Sequence, residues 1–144
     1  MNTFNDFLAT VEPQHQDFAQ IIHEKLIEKK FKVKIESKAS GFFVSYSNPK
    51  TKRSLLNFLF RKSGLLVRIY PSNINVEIPS TITATMKVEI EKAPNCKLCS
   101  DKCIQGYKFS LQGQGYDKCR YNAFLFAVNG KNKSILAEWV EKEI

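Results

Sequence analysis

Apolar side chains recur every three or four positions through the N-terminal part of the chain, which is the spacing of amphipathic helices. Thr3 and Asp6 carry the pattern of a capping box, so a short helix is predicted to begin after Thr3. Pro13 suits the first turn of a second helix, predicted to run to about Lys29. The stripe expected to face the core on that second helix is Phe18, Ile21, Ile22, Lys25 and Leu26.

The pattern then changes to a period of two. Phe31, Val33 and Ile35 alternate with charged residues, which predicts a strand with one face in water. Three more strands are predicted at residues 42–47, 53–61 and 65–70. Short turns rich in Gly, Pro, Asn and Ser separate the four strands. Because parallel neighbours need long crossover connections, the four strands are predicted to form an antiparallel meander, with its apolar face covered by the two helices.

The C-terminal half is less regular. Residues 80–92 alternate like a strand but also carry apolar residues at helical spacing, and Ser80 could cap a helix, so a helix is favoured there. A hairpin is predicted from residues 107–112 and a long second arm at 116–128. A closing helix is predicted from the apolar residues Ile135, Leu136, Trp139 and Val140.

The predicted fold is therefore a single α+β domain over residues 1–144. Two N-terminal helices pack on an antiparallel sheet made of the meander and the C-terminal hairpin, and a C-terminal helix closes the fold. No apolar run approaches the roughly 20 residues that span a bilayer, and the N-terminus lacks a signal-peptide pattern. A cytoplasmic protein with no membrane insertion is the expectation.

All four cysteines lie in one segment, residues 96–121, in a three-plus-one arrangement of Cys96, Cys99, Cys103 and Cys119. In a reducing compartment such a cluster favours metal over disulfides, and two cysteines separated by two residues suit zinc. The sequence therefore predicts a structural zinc ion bound by these four thiolates, beside several lysines and arginines that would offset the negative charge. An iron–sulfur cluster, buried structural thiols and redox-reactive thiols remain alternatives.

The net charge of +8 favours an anionic partner, either nucleic acid or an acidic protein. The candidate contacts with phosphate lie in the meander and its turns: Lys50, Lys52, Arg53, Arg61, Lys62 and Arg68. If the two turns share one edge of the sheet, these residues form a patch with aromatic rings nearby. The alternative, which the composition favours, is that the rings are core and the cations form the wet face of the sheet.

An enzyme and a small-molecule sensor are the two alternatives to a domain that binds an anionic partner. An enzyme is disfavoured because no nucleophile motif, HExxH pattern or phosphate-binding glycine loop occurs, and His15 and His23 are predicted to be half-exposed. A thiol-based activity is still conceivable. A small-molecule sensor is the other possibility, with a pocket formed by the polar side chains of Tyr46, Asn57, Arg68 and Tyr70.

The opening Phe-x-x-Phe-Leu helix at Phe4, the helix introduced by Pro13, and the strand from Gly41 to Tyr46 resemble the YdhG-like group of small bacterial α+β domains of unknown function. That resemblance covers residues 4–70. Residues 96–126 resemble a cysteine-bearing C-terminal extension of uncharacterised bacterial proteins. The resemblance implies a fold and a bacterial, cytoplasmic setting, and it assigns no catalytic residue. The sequence thus predicts a binding domain, stabilised by zinc, whose ligand it does not identify.

Overall fold

The computed structural model describes residues 3–61, 64–96, 106–120 and 122–144, with no side-chain description at Arg61. The helices in these ranges are α1 (Phe4–Thr10), α2 (Pro13–Glu28), α3 (Ala84–Lys92) and α4 (Lys133–Glu143). The strands are β1 (Lys32–Lys38), β2 (Gly41–Ser47), β3 (Ser54–Arg61), β4 (Gly64–Ile69), β5 (Tyr107–Leu111), β6 (Gln114–Lys118) and β7 (Phe124–Ala127). No helix in the described ranges is both long and apolar enough to cross a membrane.

Five strands form one antiparallel sheet in the order β1-β2-β3-β4-β7, and β5 and β6 form a separate two-stranded sheet. The predicted α+β class and the four-strand meander are therefore confirmed. The predicted second arm at 116–128 is wrong as one continuous strand. It divides into β6 and β7 because Ala123 adopts a left-handed backbone conformation, with φ of 49°, that a strand cannot contain. Only β7 extends the large sheet.

Rings from the helices pack on one face of the large sheet. Phe7 of α1 stacks on Phe58 of β3, with ring centroids 5.6 Å apart, and Trp139 of α4 contacts the rings of Phe124 and Phe126. All five of these side chains are nearly or completely buried. The predicted arrangement, with helices covering the apolar face of the sheet, is confirmed by these contacts.

The capping residue of α1 is the predicted one, whereas the capping residue of α3 differs from the prediction. Thr3 and Asp6 form the predicted capping box, in which each side chain accepts a hydrogen bond from the other residue's backbone N–H. Residues 84–92 are helical as favoured, but the cap is Thr83 and not Ser80. The Thr83 hydroxyl accepts a hydrogen bond from the backbone N–H of Met86 at 3.0 Å, so the helix begins a turn later than expected.

The buried stripe of α2 differs from the prediction. Ile21 is 48% exposed, whereas His15 and Ala19 are buried with Phe18. Positions 15, 19, 22 and 26 follow one another at helical spacing, so the stripe runs through His15. The expectation that His15 is half-exposed is therefore wrong, because a histidine in line with apolar neighbours is carried into the core.

Candidate metal centre and neighbouring pocket

Two of the four cysteines are brought together by a short backbone pairing. Asn95 lies opposite Lys118 in an antiparallel bridge. The Cys96 N–H donates to the carbonyl of Asp117 at 2.9 Å, and the Cys119 N–H donates to the carbonyl of Pro94 at 2.8 Å. Because successive side chains in paired strands point to opposite faces, Cys96 and Cys119 share the face opposite to Lys118. They are diagonal neighbours, for which Cα atoms typically lie about 7–8 Å apart.

Gly106 lies against Cys96 and the end of β6. A Cβ atom at this position would lie 2.7 Å from the Cβ of Cys96 and 2.5 Å from both the carbonyl of Lys118 and a carboxylate oxygen of Asp117. No side chain fits in that space, so the close approach requires glycine. The segment between Cys96 and Gly106 therefore begins and ends at one point beside Cys119.

The other two predicted ligands, Cys99 and Cys103, belong to residues 97–105 and lie outside the described residues. Within the ranges that the structure does describe, no three His, Cys, Asp or Glu side chains are grouped to bind a metal. Cys119 contacts a polar group, since the side-chain amide of Asn122 donates to its Sγ at 3.3 Å. An N–H donor of this kind stabilises a thiolate more than a neutral thiol.

Lys118 holds this region from the other side. Its side chain is only 3% exposed, and its Nζ donates to the carbonyls of Glu91 and Ala93 and to Oδ1 of Asn95, at 2.8–2.9 Å. Burial lowers the pKa of Lys118, and the carboxylate of Glu91 opposes that shift. The ammonium group thus satisfies carbonyls at the C-terminal end of α3 and fixes β6 against that helix.

The role of Lys118 was not predicted from the sequence. The signal was present in the alternation of the strand. A residue next to Cys119 in an extended segment must face away from the cysteine's side. Which groups accept hydrogen bonds from Lys118 depends, however, on where α3 ends. The ambiguous pattern of residues 80–92 does not predict that end.

The predicted anion-binding cations do not form a single patch. Lys50, Lys52 and Arg53 lie in the turn before β3, whereas Arg61 ends that strand. The eight residues of β3 separate the two turns by about 26 Å at the rise of an extended strand. Lys62 lies outside the described residues. The two turns are therefore at opposite ends of the sheet and do not share an edge.

The predicted polar pocket is only partly assembled. The side-chain amide of Asn57 donates to the hydroxyl of Tyr70 at 3.0 Å, and Arg68 lies directly opposite Asn57 in the sheet. Tyr46 lies on the other face of the sheet, where its hydroxyl is 2.7 Å from Nδ1 of His23. Burial raises the pKa of Tyr46, so the phenol stays protonated within hydrogen-bond distance of the His23 ring. Three of the four residues thus share a face, and Tyr46 is part of the core.

The middle of the face that carries Asn57 and Arg68 is polar, beside an apolar row of Phe43, Leu59 and Leu66. One row of residues crosses the middle of all five strands on this face: Lys34, Ser45, Asn57, Arg68 and Leu125. Oδ1 of Asn57 and Nε of Arg68 are buried and have no hydrogen-bond partner among the described residues. The centre of this face therefore keeps unused hydrogen-bonding capacity.

A cavity of about 430 Å³ lies at one end of the large sheet. Its walls come from the turn before β3, the residues after β4, the start of β5, and the end of α4. The charged side chains in these walls are Arg53, Arg120 and Glu143. Arg120 follows Cys119 directly in the sequence, so the cavity adjoins the cysteine pair.

The chain matches no protein-family model, and searches of the curated proteins and of the solved structures likewise gave no match. The resemblance to the YdhG-like group thus stays a prediction. Any function has to be argued from the residues and geometry of this chain.

Proposed function

We propose that this chain is a non-catalytic binding domain in which Cys96, Cys99, Cys103 and Cys119 hold a structural zinc ion. The observation that carries the proposal is the pairing of residues 94–96 with 117–119, which places Cys96 and Cys119 on one face. These two cysteines are 23 positions apart in the sequence, so their meeting is a property of the fold and not of local spacing.

The two remaining cysteines are close enough in sequence to reach the same point. Cys99 is three residues from Cys96, and Cys103 is three residues from Gly106, which packs against Cys96. Three residues can span up to about 11 Å, so the chain is long enough for both cysteines to reach the pair. Four sulfur ligands match the tetrahedral coordination that zinc prefers.

Four protein ligands would leave zinc no open position for water or substrate, which supports a structural role and not a catalytic one. The ion would tie the segment before Gly106 to the end of β6. The alternatives make different predictions: an iron–sulfur cluster would give the protein visible absorption, and redox-active thiols would be titratable and metal-free.

The test is the metal content of protein purified without chelator or added metal. We expect one zinc per chain in the wild type, a loss of most of it in Cys96→Ser and Cys119→Ser, and normal content in Ser110→Ala, an exposed position of the same hairpin. If the purified protein is metal-free, has four titratable thiols and unfolds at the same temperature with and without chelator, the zinc site is refuted and thiol chemistry is favoured.

A second candidate function, nucleic-acid binding, is supported by the charge of the sheet face that carries Arg68. Strand β1 adds Lys32, Lys34 and Lys38 to that face, against one carboxylate, Glu36, which pairs with two of them. Fluorescence anisotropy of a labelled single-stranded oligonucleotide tests it. Nucleic-acid binding is supported if the affinity falls steeply with rising salt and is lower in Lys34→Gln than in the wild type. It is excluded if the oligonucleotide does not bind, or binds independently of salt.

A further inference from the structure

We infer that the cavity of about 430 Å³ beside Arg120 binds a small aromatic carboxylate, with the guanidinium groups of Arg120 and Arg53 facing the carboxylate. This inference rests on the proposed binding role of the domain and names its ligand class. It does not depend on the metal.

The side chains that line the cavity would fit a flat, apolar ligand. Phe31, Leu55 and Pro71 are buried apolar side chains in the lining, and the rings of Tyr70 and Tyr107 add aromatic surface. A volume of about 430 Å³ lies within the range of small-molecule pockets, which are mainly apolar with a few polar groups that orient the ligand. A single aromatic ring with a short acidic substituent would fit these walls.

The charges favour a monoanion. Among the described residues neither Arg53 nor Arg120 forms an ion pair with a carboxylate. Arg120 lies over the ring of Tyr107, with its guanidinium carbon 5.8 Å from the ring centroid. Two guanidinium groups against the one carboxylate of Glu143 leave the cavity with a net positive charge. A monoanionic carboxylate balances that charge, whereas a phosphate dianion would leave the cavity with a net negative charge.

Within the described part of the chain, Glu143 is held by Ser72 and forms no ion pair with Arg53 or Arg120. Its Oε2 accepts hydrogen bonds from the backbone N–H of Ser72 at 2.7 Å and from the Ser72 hydroxyl at 2.8 Å. These bonds fix the end of α4 against the residues after β4. An arginine left without a carboxylate partner in a concave apolar site is available for an anionic ligand.

The tyrosines have distinct roles. The hydroxyl of Tyr107 donates to the carbonyl of Pro71 at 2.8 Å and so braces the wall. Burial raises the pKa of Tyr107 to about 12, although Arg120 opposes this, so the phenol remains a donor at neutral pH. Tyr70 accepts a hydrogen bond from Asn57, which leaves its own O–H proton free to donate to a ligand.

The walls are held before any ligand binds. The Tyr70 N–H donates to the carbonyl of Leu55, and the turn that carries Arg53 is closed by hydrogen bonds between Asn48 and Arg53 and between Lys52 and Asn48. The hydrogen bond from Cys119 to Pro94 fixes the residue before Arg120. A preorganised site loses less entropy on binding, so even a small ligand should bind measurably.

The experiment uses the full chain as purified and three probes: phenylacetate, its neutral analogue phenylacetamide, and phenyl phosphate. Heteronuclear NMR titration gives both the dissociation constant and the location. We expect phenylacetate to bind at about millimolar concentration, at least about tenfold more tightly than phenylacetamide, with shifts at Tyr70 and Tyr107. Equal binding of the amide, tighter binding of phenyl phosphate, or shifts confined to another surface would overturn the inference.

Matched variants test the two arginines. Arg120→Gln and Arg53→Gln should each weaken phenylacetate binding by about tenfold or more, while Lys50→Gln, in the same turn as Arg53 but not in the lining, should leave it unchanged. Unchanged binding in both arginine variants would overturn the assignment.

Zinc content measured on the same samples separates this inference from the metal proposal. Zinc-loaded Arg120→Gln with weak ligand binding supports the pocket. Metal-free wild type that binds phenylacetate normally refutes only the zinc site, and zinc-loaded wild type that binds no phenylacetate refutes only the pocket.

Discussion

The region formed by α1, α2 and the meander is held together differently from the region around β5, β6 and the cysteines. In the first, completely buried rings such as Phe7, Tyr46 and Phe58 pack between helices and sheet. In the second, the rings of Tyr107 and Phe109 pack on Phe124, and polar and backbone ties add to this contact: a buried lysine, a short strand pairing and a glycine that admits no side chain.

This contrast indicates which forces each region needs. Burying apolar surface stabilises the meander in proportion to its area, and many of its side chains are completely buried. The two-stranded sheet adds only Tyr107 and Phe109 to the buried apolar side chains, and isolated hairpins are marginally stable in water. Its position therefore depends on specific ties, for which Lys118 and the proposed zinc are the candidates. The following predictions test this difference, in order of expected effect.

The largest effect is expected from the core of the meander. Phe58→Ala should lower the free energy of unfolding by about 3–5 kcal/mol, because it removes a fully buried ring that contacts both Phe7 and Tyr46. Urea unfolding followed by circular dichroism measures this. Phe60→Ala, a half-buried position on the same strand, should cost clearly less. Similar losses in the two variants would show that burial does not govern the stability of this region.

Replacement of the buried lysine comes next. Lys118→Met should lower the free energy of unfolding by about 2–3 kcal/mol, because three oxygen acceptors at the end of α3 and at Asn95 lose their donor. Hydrogen exchange should increase in β6 and α3 before it increases in β3. Lys108→Met, an exposed position in the partner strand β5, is the matched control and should change stability little. Uniform exchange throughout the molecule would mean that the two regions unfold as one.

The same contrast explains what could be predicted from the sequence. The meander was predictable because its alternation and its turns act locally, and because one wet face fixes the register of each strand. The capping box at Thr3 was predictable for the same reason, since both partners lie within three residues.

The break between β6 and β7 was not predictable from the pattern. The segment from Tyr116 to Val128 has the pattern of one strand. The residue that interrupts it is Ala123, and an alanine gives no sign of a left-handed conformation, which glycine and asparagine adopt more readily. The candidate pocket was also missed. Arg53, Tyr107, Arg120 and Glu143 come from four separate parts of the chain, and only the tertiary fold brings them to one cavity. The pairing of Cys96 with Cys119 follows from that fold as well.

A smaller effect is expected from pH in the first region. Burial lowers the pKa of His23 below its usual 6.5, with Glu24 opposing the shift, so the folded state favours the neutral ring. The unfolded chain takes up the proton first as the pH falls through 6.5, so stability is full above that pH and declines below it.

Urea unfolding in a pH series measures this decline. Tyr46→Phe removes the hydroxyl but keeps the ring that packs against His23, so the stability of this variant should decline with falling pH as the wild type's does. A shallower decline in the variant would show that the hydrogen bond, and not burial alone, keeps His23 neutral.

The smallest effect is expected at Glu89, where α3 meets the edge strand β7. Its Oε2 accepts a hydrogen bond from the backbone N–H of Ala127 at 2.8 Å, and burial raises its pKa above 4.5 even though that hydrogen bond and Lys92 oppose the shift. The folded state therefore holds the proton longer than the unfolded chain does, and stability falls as the pH rises from 4.5 through the folded-state pKa.

Glu89→Gln keeps an oxygen acceptor for Ala127 and removes the charge, so the decline in stability with rising pH should become shallower. The gain at neutral pH should be no more than about 0.5 kcal/mol, because the Ala127 hydrogen bond and Lys92 offset part of the cost of burying the charge. Differential scanning calorimetry at a series of pH values measures it, with Glu138→Gln on the exposed side of α4 as control. A steeper decline in Glu89→Gln would mean that the ionised carboxylate stabilises the contact between α3 and β7, which would extend the polar character of the hairpin region to the edge of the large sheet.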